Sequence, residues 1–218
     1  MSADPLRELG RRVRAGGPVR VAVVVTDLTT LIDFAGPWQA FVQLKRVKGR
    51  GPFHVYTVST SRRPVRLSGG LIVVPEYTLR GAPSPDIVLV PALGIGKYRS
   101  IIKWIQQAHR RGKVIASVCA GAFQLAEAGI LDGRSATTNH EALEILRRGC
   151  PAIHVVGGFR FVKSSPTVYT AGGLTAGIDL AIYMVDRILG LPTARALAIR
   201  LEYEGRGWAS EGGRAIAS

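Results

Sequence analysis

The chain has 218 residues and a formal net charge of +14, with 29 Lys and Arg against 15 Asp and Glu. A chain of this length buries roughly 70% of its unfolded surface and needs neither disulfides nor a structural metal to hold a core. Its two cysteines, Cys119 and Cys150, are far from any CxxC spacing. This excludes a disulfide scaffold and a cysteine zinc site, and it suits a reducing cytoplasm.

Residues 1–18 read as a basic extension, with Arg11, Arg12 and Arg14 and no apolar run, which is not a secretory signal. Nothing approaches the ~18 consecutive apolar residues of a membrane span. Val19 to Val25 is a β-branched run typical of a strand buried on both faces. Gly36-Pro37 opens a helix carrying Trp38, Phe41 and Val42 on one face. Phe53 to Ser59 alternates as a second strand, Val65 to Val74 reads as a hairpin about Ser68-Gly69-Gly70, and Ile87 to Val90 is a short buried strand. A helix over Ile101 to Arg111 closes at Gly112. The strand Val114 to Val118 runs into a helix, Ala120 to Ala128, ended by Gly129. Ser135 to Thr138 and Glu141 to Arg148 repeat strand and helix. Val155 to Val162 and Thr167 to Thr170 read as antiparallel additions, followed by helices Ile178 to Leu189 and Thr193 to Tyr203. Residues 19–204 thus form one α/β domain with a mostly parallel sheet covered on both faces, and 205–218 a flexible, Gly/Ser-rich tail.

The segment Val114-Ile-Ala-Ser-Val-Cys-Ala-Gly-Ala122 is the strongest chemical signal. Small residues, Ser117 and Gly121, flank Cys119 at both two-residue offsets, as a nucleophile elbow requires. The start of the following helix favours thiolate, and its amides can stabilise an oxyanion. The competing reading is a buried, inert cysteine. Cys150, between a helix end and Pro151, reads as packing. Asp33 lies among Leu31, Ile32 and Phe34 at the sheet edge expected for Cys119. There it is either a carboxyl of raised pKa that exchanges a proton with the thiol or a helix N-cap. His140, after a strand, could face the same edge or begin a helix; His54, His109 and His154 read as structural. There is no HExxH and no clustered ligand set for a metal. The Gly172–Gly177 segment fits no phosphate-loop pattern and reads as close backbone packing with a possible lining role. Gly94, in the loop after Val90, could turn backbone N–H groups toward Cys119.

The positive charge raises nucleic acid as a partner, but the basic residues are scattered and no helix-turn-helix or zinc-finger pattern accompanies them. Solvated charge is the preferred reading, with a weak attraction to anionic ligands left open.

Together the segments Leu31-Ile-Asp-Phe-Ala-Gly-Pro37, Pro64 to Pro75, Asp86-Ile-Val-Leu-Val-Pro91, Ser117-Val-Cys-Ala-Gly-Ala122, Ala136-Thr-Thr-Asn-His140 and Thr170 to Asp179 resemble the ThiJ/PfpI superfamily. The resemblance is closest to the branch holding isonitrile hydratases and the ligand domains of AraC-type regulators. It implies a flavodoxin-like three-layer sandwich, usually a homodimer, with Cys119 as nucleophile, Asp33 as its acidic partner, and Ala120, Gly94, Gly121 and His140 around substrate or oxyanion. It also implies a small-molecule substrate and no cofactor. Three departures stand out. Ala120 takes the place of the threonine that follows the cysteine in the hydratases and of the histidine in the peptidases. Pro91-Ala-Leu-Gly94 replaces Pro-Gly-Gly. The glutaminase His-x-Glu pair is absent. The resemblance therefore implies an isonitrile hydratase-like hydro-lyase. Alternatives are a deglycase- or glyoxalase-type activity on 2-oxoaldehydes, or a non-catalytic sensor. A DNA-binding regulator would need a recognition domain beyond Tyr203.

Overall fold

The computed structural model describes residues 4–44 and 51–210. In chain order the elements are α1 (Pro5–Arg14), β1 (Val19–Val24), α2 (Leu31–Val42), β2 (Phe53–Ser59), β3 (Val65–Arg66), β4 (Ile72–Val73), β5 (Tyr77–Thr78), β6 (Ile87–Val90), α3 (Arg99–Arg110), β7 (Val114–Val118), α4 (Gly121–Glu127), β8 (Ser135–Ala136), α5 (Leu143–Gly149), β9 (His154–Val155), β10 (Phe161–Ser165), β11 (Val168–Ala171), α6 (Ala176–Leu189) and α7 (Leu191–Arg200). Seven strands form one sheet in the order β10-β11-β7-β6-β1-β2-β5. Every pairing in it is parallel except β10 with β11.

Both faces of the sheet are covered, which is why β1 reads as an unbroken apolar run. Val19, Val21 and Val23 point into a core shared with α1, α2, α6 and α7. Ala22 and Val24 point into the opposite core, filled by Ile101 and Ile105 of α3, Leu125 of α4 and Leu146 of α5. The result is the three-layer α/β sandwich expected from the sequence, with β3–β4 as the expected hairpin.

Four local readings are corrected. First, α2 begins at Leu31, so Pro37 lies inside the helix. A proline there removes the hydrogen bond to the carbonyl four residues back. Tertiary contacts hold the first turn instead: the Thr30 N–H donates to the Ala92 carbonyl (2.9 Å) and the Leu31 N–H to Ser68 Oγ (3.2 Å). Second, β11 pairs in parallel with β7, and β9 in parallel with β8. Only β10 is an antiparallel addition to the main sheet.

Third, most of the basic extension is the helix α1, which buries Leu6 and Val13. It is tied down by the ion pairs of Arg12 with Asp86 and of Asp4 with Arg187. Its exposed arginines hide this short apolar face in the sequence. Fourth, of the expected tail 205–218, residues 205–210 are held, while 211–218 lie outside the described residues. Trp208 is buried, its backbone N–H donates to Asp179 Oδ1 (3.1 Å), and Asp179 Oδ2 accepts from Arg160 Nε (2.6 Å) and the Tyr203 hydroxyl (2.8 Å).

Candidate active site

Strand β7 ends at Val118, and Cys119 follows in the left-handed region at φ +57° before Ala120 caps α4. Such a φ is uncommon for a residue with a Cβ and persists only where its surroundings fix it. Here the Cys119 N–H donates to the carbonyls of Ala171 (3.1 Å) and Gly172 (2.9 Å), and the Cys119 carbonyl accepts the Thr138 hydroxyl (2.8 Å). Gly121 permits the turn for a steric reason. A Cβ on it would overlap the Val90 carbonyl oxygen and stand 2.9 Å from that of Pro91, so α4 can start against the end of β6 only with glycine there.

Asp33 is fully buried in the first turn of α2, which excludes the N-cap reading because Thr30 occupies that position. Its Oδ2 accepts the Ala92 N–H (3.1 Å), and Oδ1 is buried with no hydrogen-bond partner. The carboxyl interacts with the Cys119 thiol and the Leu174 amide. Burial pushes the Asp33 pKa up to about 6, against the pull of Ala92, Cys119 and Leu174. Burial also pushes the thiol up, and the neighbouring Asp33 adds to the rise; the backbone amides of Ala120 and Leu174 oppose it. The expectation of a thiolate favoured by the helix start is therefore corrected. In a short helix, two opposing amides do not offset desolvation beside a carboxylate.

The remaining candidates divide. Ala120 and Gly121 stand beside the thiol. Gly94 packs closely against the loop after β1, where a Cβ on it would lie 2.5 Å from the Asp27 carbonyl oxygen. The donors facing Cys119 and Asp33 are Ala92, Ala120 and Leu174. Leu174 follows the Gly172-Gly173 pair read as lining, but its own left-handed conformation (φ +52°) leaves no mark in a leucine. His140 is exposed at the start of a short 3₁₀ turn. It lines a cleft of about 350 Å³ with Thr138, Asn139, Arg160 and Leu174. Cys150 is half-buried against the α3–α5 core, as read. Among the described residues no group of three His, Cys, Asp or Glu side chains lies close enough to hold a metal, and no helix is long and apolar enough to cross a membrane.

A thiol on a left-handed turn at the carboxyl edge of a parallel sheet, with an acid from the helix after the first strand, defines a cysteine-centred flavodoxin-like domain. The chain belongs to the DJ-1/PfpI family, whose model matches residues 19–187. It is 29% identical over 176 residues to the isonitrile hydratase of Pseudomonas putida, covering 79% of this chain and 73% of that one. It is 27% identical over 191 residues to the HTH-type transcriptional regulator GbdR of Pseudomonas aeruginosa, covering 86% of this chain but 51% of the regulator. The chain thus spans about half the length of that relative. A ThiJ/PfpI family protein from Pseudomonas syringae superposes with a TM-score of 0.75 at 26% identity, over 87% of this chain and 77% of that one. With an HTH-type regulator among the relatives, the lack of a helix-turn-helix pattern in this chain does not set nucleic acid aside as a partner.

Proposed function

We propose that the protein is a cofactor-free cysteine enzyme that adds Cys119 to a small electrophilic carbon while Asp33 carries the proton, in the manner of an isonitrile hydratase. The supporting observation is the buried Asp33 carboxyl against the thiol, with Oδ2 fixed by Ala92 and Oδ1 free for proton traffic. An acid whose pKa approaches the working pH is suited to accept and return a proton.

For an isonitrile, R–N≡C, Asp33 takes the S–H proton and delivers it to the terminal carbon as sulfur bonds to the same carbon. The product is a thioimidate, Cys–S–CH=N–R. Water adds across C=N, the C–S bond breaks, and a proton returns through Asp33 to sulfur. The formamide R–NH–CHO leaves and the thiol is regenerated. One water is added, and no oxidant is needed. The amides of Ala120 and Leu174 steady the charge that passes through sulfur.

Ala120 supplies no hydroxyl beside sulfur, and the nearby Thr138 hydroxyl is engaged by the Cys119 carbonyl. This observation, with the regulator among the relatives, favours as a second reading a domain that binds or senses a small molecule without turnover. The deciding experiment is turnover of a panel of isonitriles and 2-oxoaldehydes by wild type, Cys119→Ala and Ala120→Thr. Slow isonitrile hydration, raised by Ala120→Thr and abolished by Cys119→Ala, supports the hydratase. Cys119-dependent consumption of methylglyoxal alone supports the deglycase-type activity, and no turnover of either supports the sensor. The resemblance further supports a homodimer and the cysteine usage a cytoplasmic location; sedimentation at micromolar concentration showing only a 23.3 kDa species would refute the dimer.

A further inference from the structure

Three basic residues, Arg63, Lys97 and Arg99, line one cavity at the carboxyl edge of the sheet. Strand β1 pairs with β2 on one side and β6 on the other, and the helices that follow β1 and β6 cover opposite faces. This is a switch point, where open parallel sheets leave a crevice for ligands. Cys119 and Asp33 use the side toward α2. On the side toward α3 lies a separate cavity of about 600 Å³, bounded by the segments that follow β1, β2 and β6.

Arg63, Lys97 and Arg99 line that cavity, together with the hydroxyl-bearing Thr60, Ser61 and Ser100. None of the three cations makes an ion pair among the described residues. The single acid at the rim, Asp27, already accepts the Arg66 N–H at 2.7 Å. Helix α3 begins here without a side-chain cap, and its first turn holds Arg99 and no acidic residue. A helix start favours an anion, and a basic residue there beside two more unpaired cations, all three solvent-exposed, strengthens that preference. A second cavity of about 590 Å³ shares Thr60 and Ser100 with the first and adds Arg80, Lys103 and the half-buried Trp104.

We infer that this crevice is an anion site for a phosphate ester, with the phosphate between Arg63, Lys97 and Arg99 and the remainder of the ligand lying toward Trp104. Forked guanidinium donors and hydroxyls suit phosphate oxygens, and the flat indole suits a ring. The adjoining volumes fit a free mononucleotide. A phosphodiester in a nucleic acid presents the same chemistry, and the test separates the two sources. The inference is independent of any reaction at Cys119.

Calorimetric titration with inorganic phosphate, adenosine 5′-monophosphate and a single-stranded oligonucleotide would test it. The proteins are wild type, an Arg63→Gln/Lys97→Gln/Arg99→Gln triple variant, and a charge-matched Arg7→Gln/Arg195→Gln/Arg200→Gln control in the opposite helical layer. The mononucleotide is expected to bind more tightly than phosphate. The crevice variant should lose about 10-fold or more in affinity, the control less than about 2-fold, from the loss of charge-assisted bonds in one case and of net charge alone in the other. The alkylation rate of Cys119 should be unchanged in both variants, which also shows that both are folded. Binding of the oligonucleotide alone, lost in the crevice variant, would support the site and assign its phosphate to a polymer. Equal losses in the two triple variants, or no binding of any probe to wild type, would overturn the proposal.

Discussion

Replacing Asp33 by Asn isolates the electrostatic strain built into the site. In the folded protein burial pushes the Asp33 carboxyl from its ordinary 3.8 up to about 6. Between these values the folded chain holds a proton that the unfolded chain has released, so stability falls as pH rises. The contribution is fully present below about pH 4 and is lost once pH passes about 6. A span of about two pH units, at about 1.4 kcal/mol each, amounts to about 3 kcal/mol. Asparagine carries an oxygen for the Ala92 N–H and never ionises. The stability of Asp33→Asn relative to wild type should therefore increase by about 3 kcal/mol between pH 4 and pH 7. Urea denaturation of both proteins at stepped pH gives this difference, and titrating groups other than the neighbouring Cys119 cancel. A difference that stays flat with pH, or that shrinks toward pH 7, would refute a buried Asp33 of raised pKa. Activity should move the opposite way, since the variant cannot carry a proton.

The same substitution removes a negative charge beside sulfur, so the midpoint of Cys119 thiolate formation should fall; pH-dependent alkylation with mass mapping would show it, and an unchanged or raised midpoint would count against the contact. Gly121→Ala must displace either α4 or the end of β6, and should cost ~1–3 kcal/mol with loss of Cys119-dependent activity; a variant that is both stable and active would mean the elbow tolerates a Cβ. Trp208→Ala empties a buried site beside Asp179, Arg160 and Tyr203, and thermal or urea denaturation should register ~3–5 kcal/mol. A loss near zero there would restore the reading of a frayed tail.

The sheet and the elbow were legible because their physical causes are local. Strand β1 must be apolar on both faces, and the residue two after Cys119 must be small because it meets the Val90 carbonyl. The start of α2 was not legible, since Thr30 and Leu31 are held by Ala92 and Ser68, residues far along the chain. For the same reason the residues alone could not place Asp33 beside the thiol rather than at a cap; only the resemblance did so. The amides that face it, those of Ala92 and Leu174, are backbone groups that no side-chain pattern announces. The two termini misled in a different way. In α1 a basic surface outweighs a short buried face, and at Trp208 a single aromatic anchors a glycine-rich stretch through backbone and side-chain bonds to α6.

The state of the thiol sets what any reaction here must look like. Burial raises Cys119 and Asp33 alike; the carboxylate makes the thiol harder to ionise, whereas the thiol's hydrogen bond eases ionisation of the carboxyl. The carboxyl, at about 6, titrates first, so near neutral pH the pair holds one proton and one negative charge, with the proton on sulfur. That charge is steadied by the Ala92 amide, and the resting thiol is a weak nucleophile. Attack then requires the proton to leave sulfur as the new bond forms, and the nearest acceptor is the same carboxyl. A substrate carbon that can take a proton and a sulfur in succession matches this pair; a carbon that needs a preformed thiolate does not. An isonitrile carbon meets the first description. An aldehyde takes sulfur on carbon and the proton on oxygen, and so needs a donor directed at that oxygen. With Ala120 beside sulfur no side-chain hydroxyl is supplied there; the backbone amides can hold an oxyanion but cannot protonate it, so its proton has to come from Asp33. This asymmetry is why the comparison of isonitriles with 2-oxoaldehydes, with and without a hydroxyl at position 120, separates the readings by chemistry as well as by family.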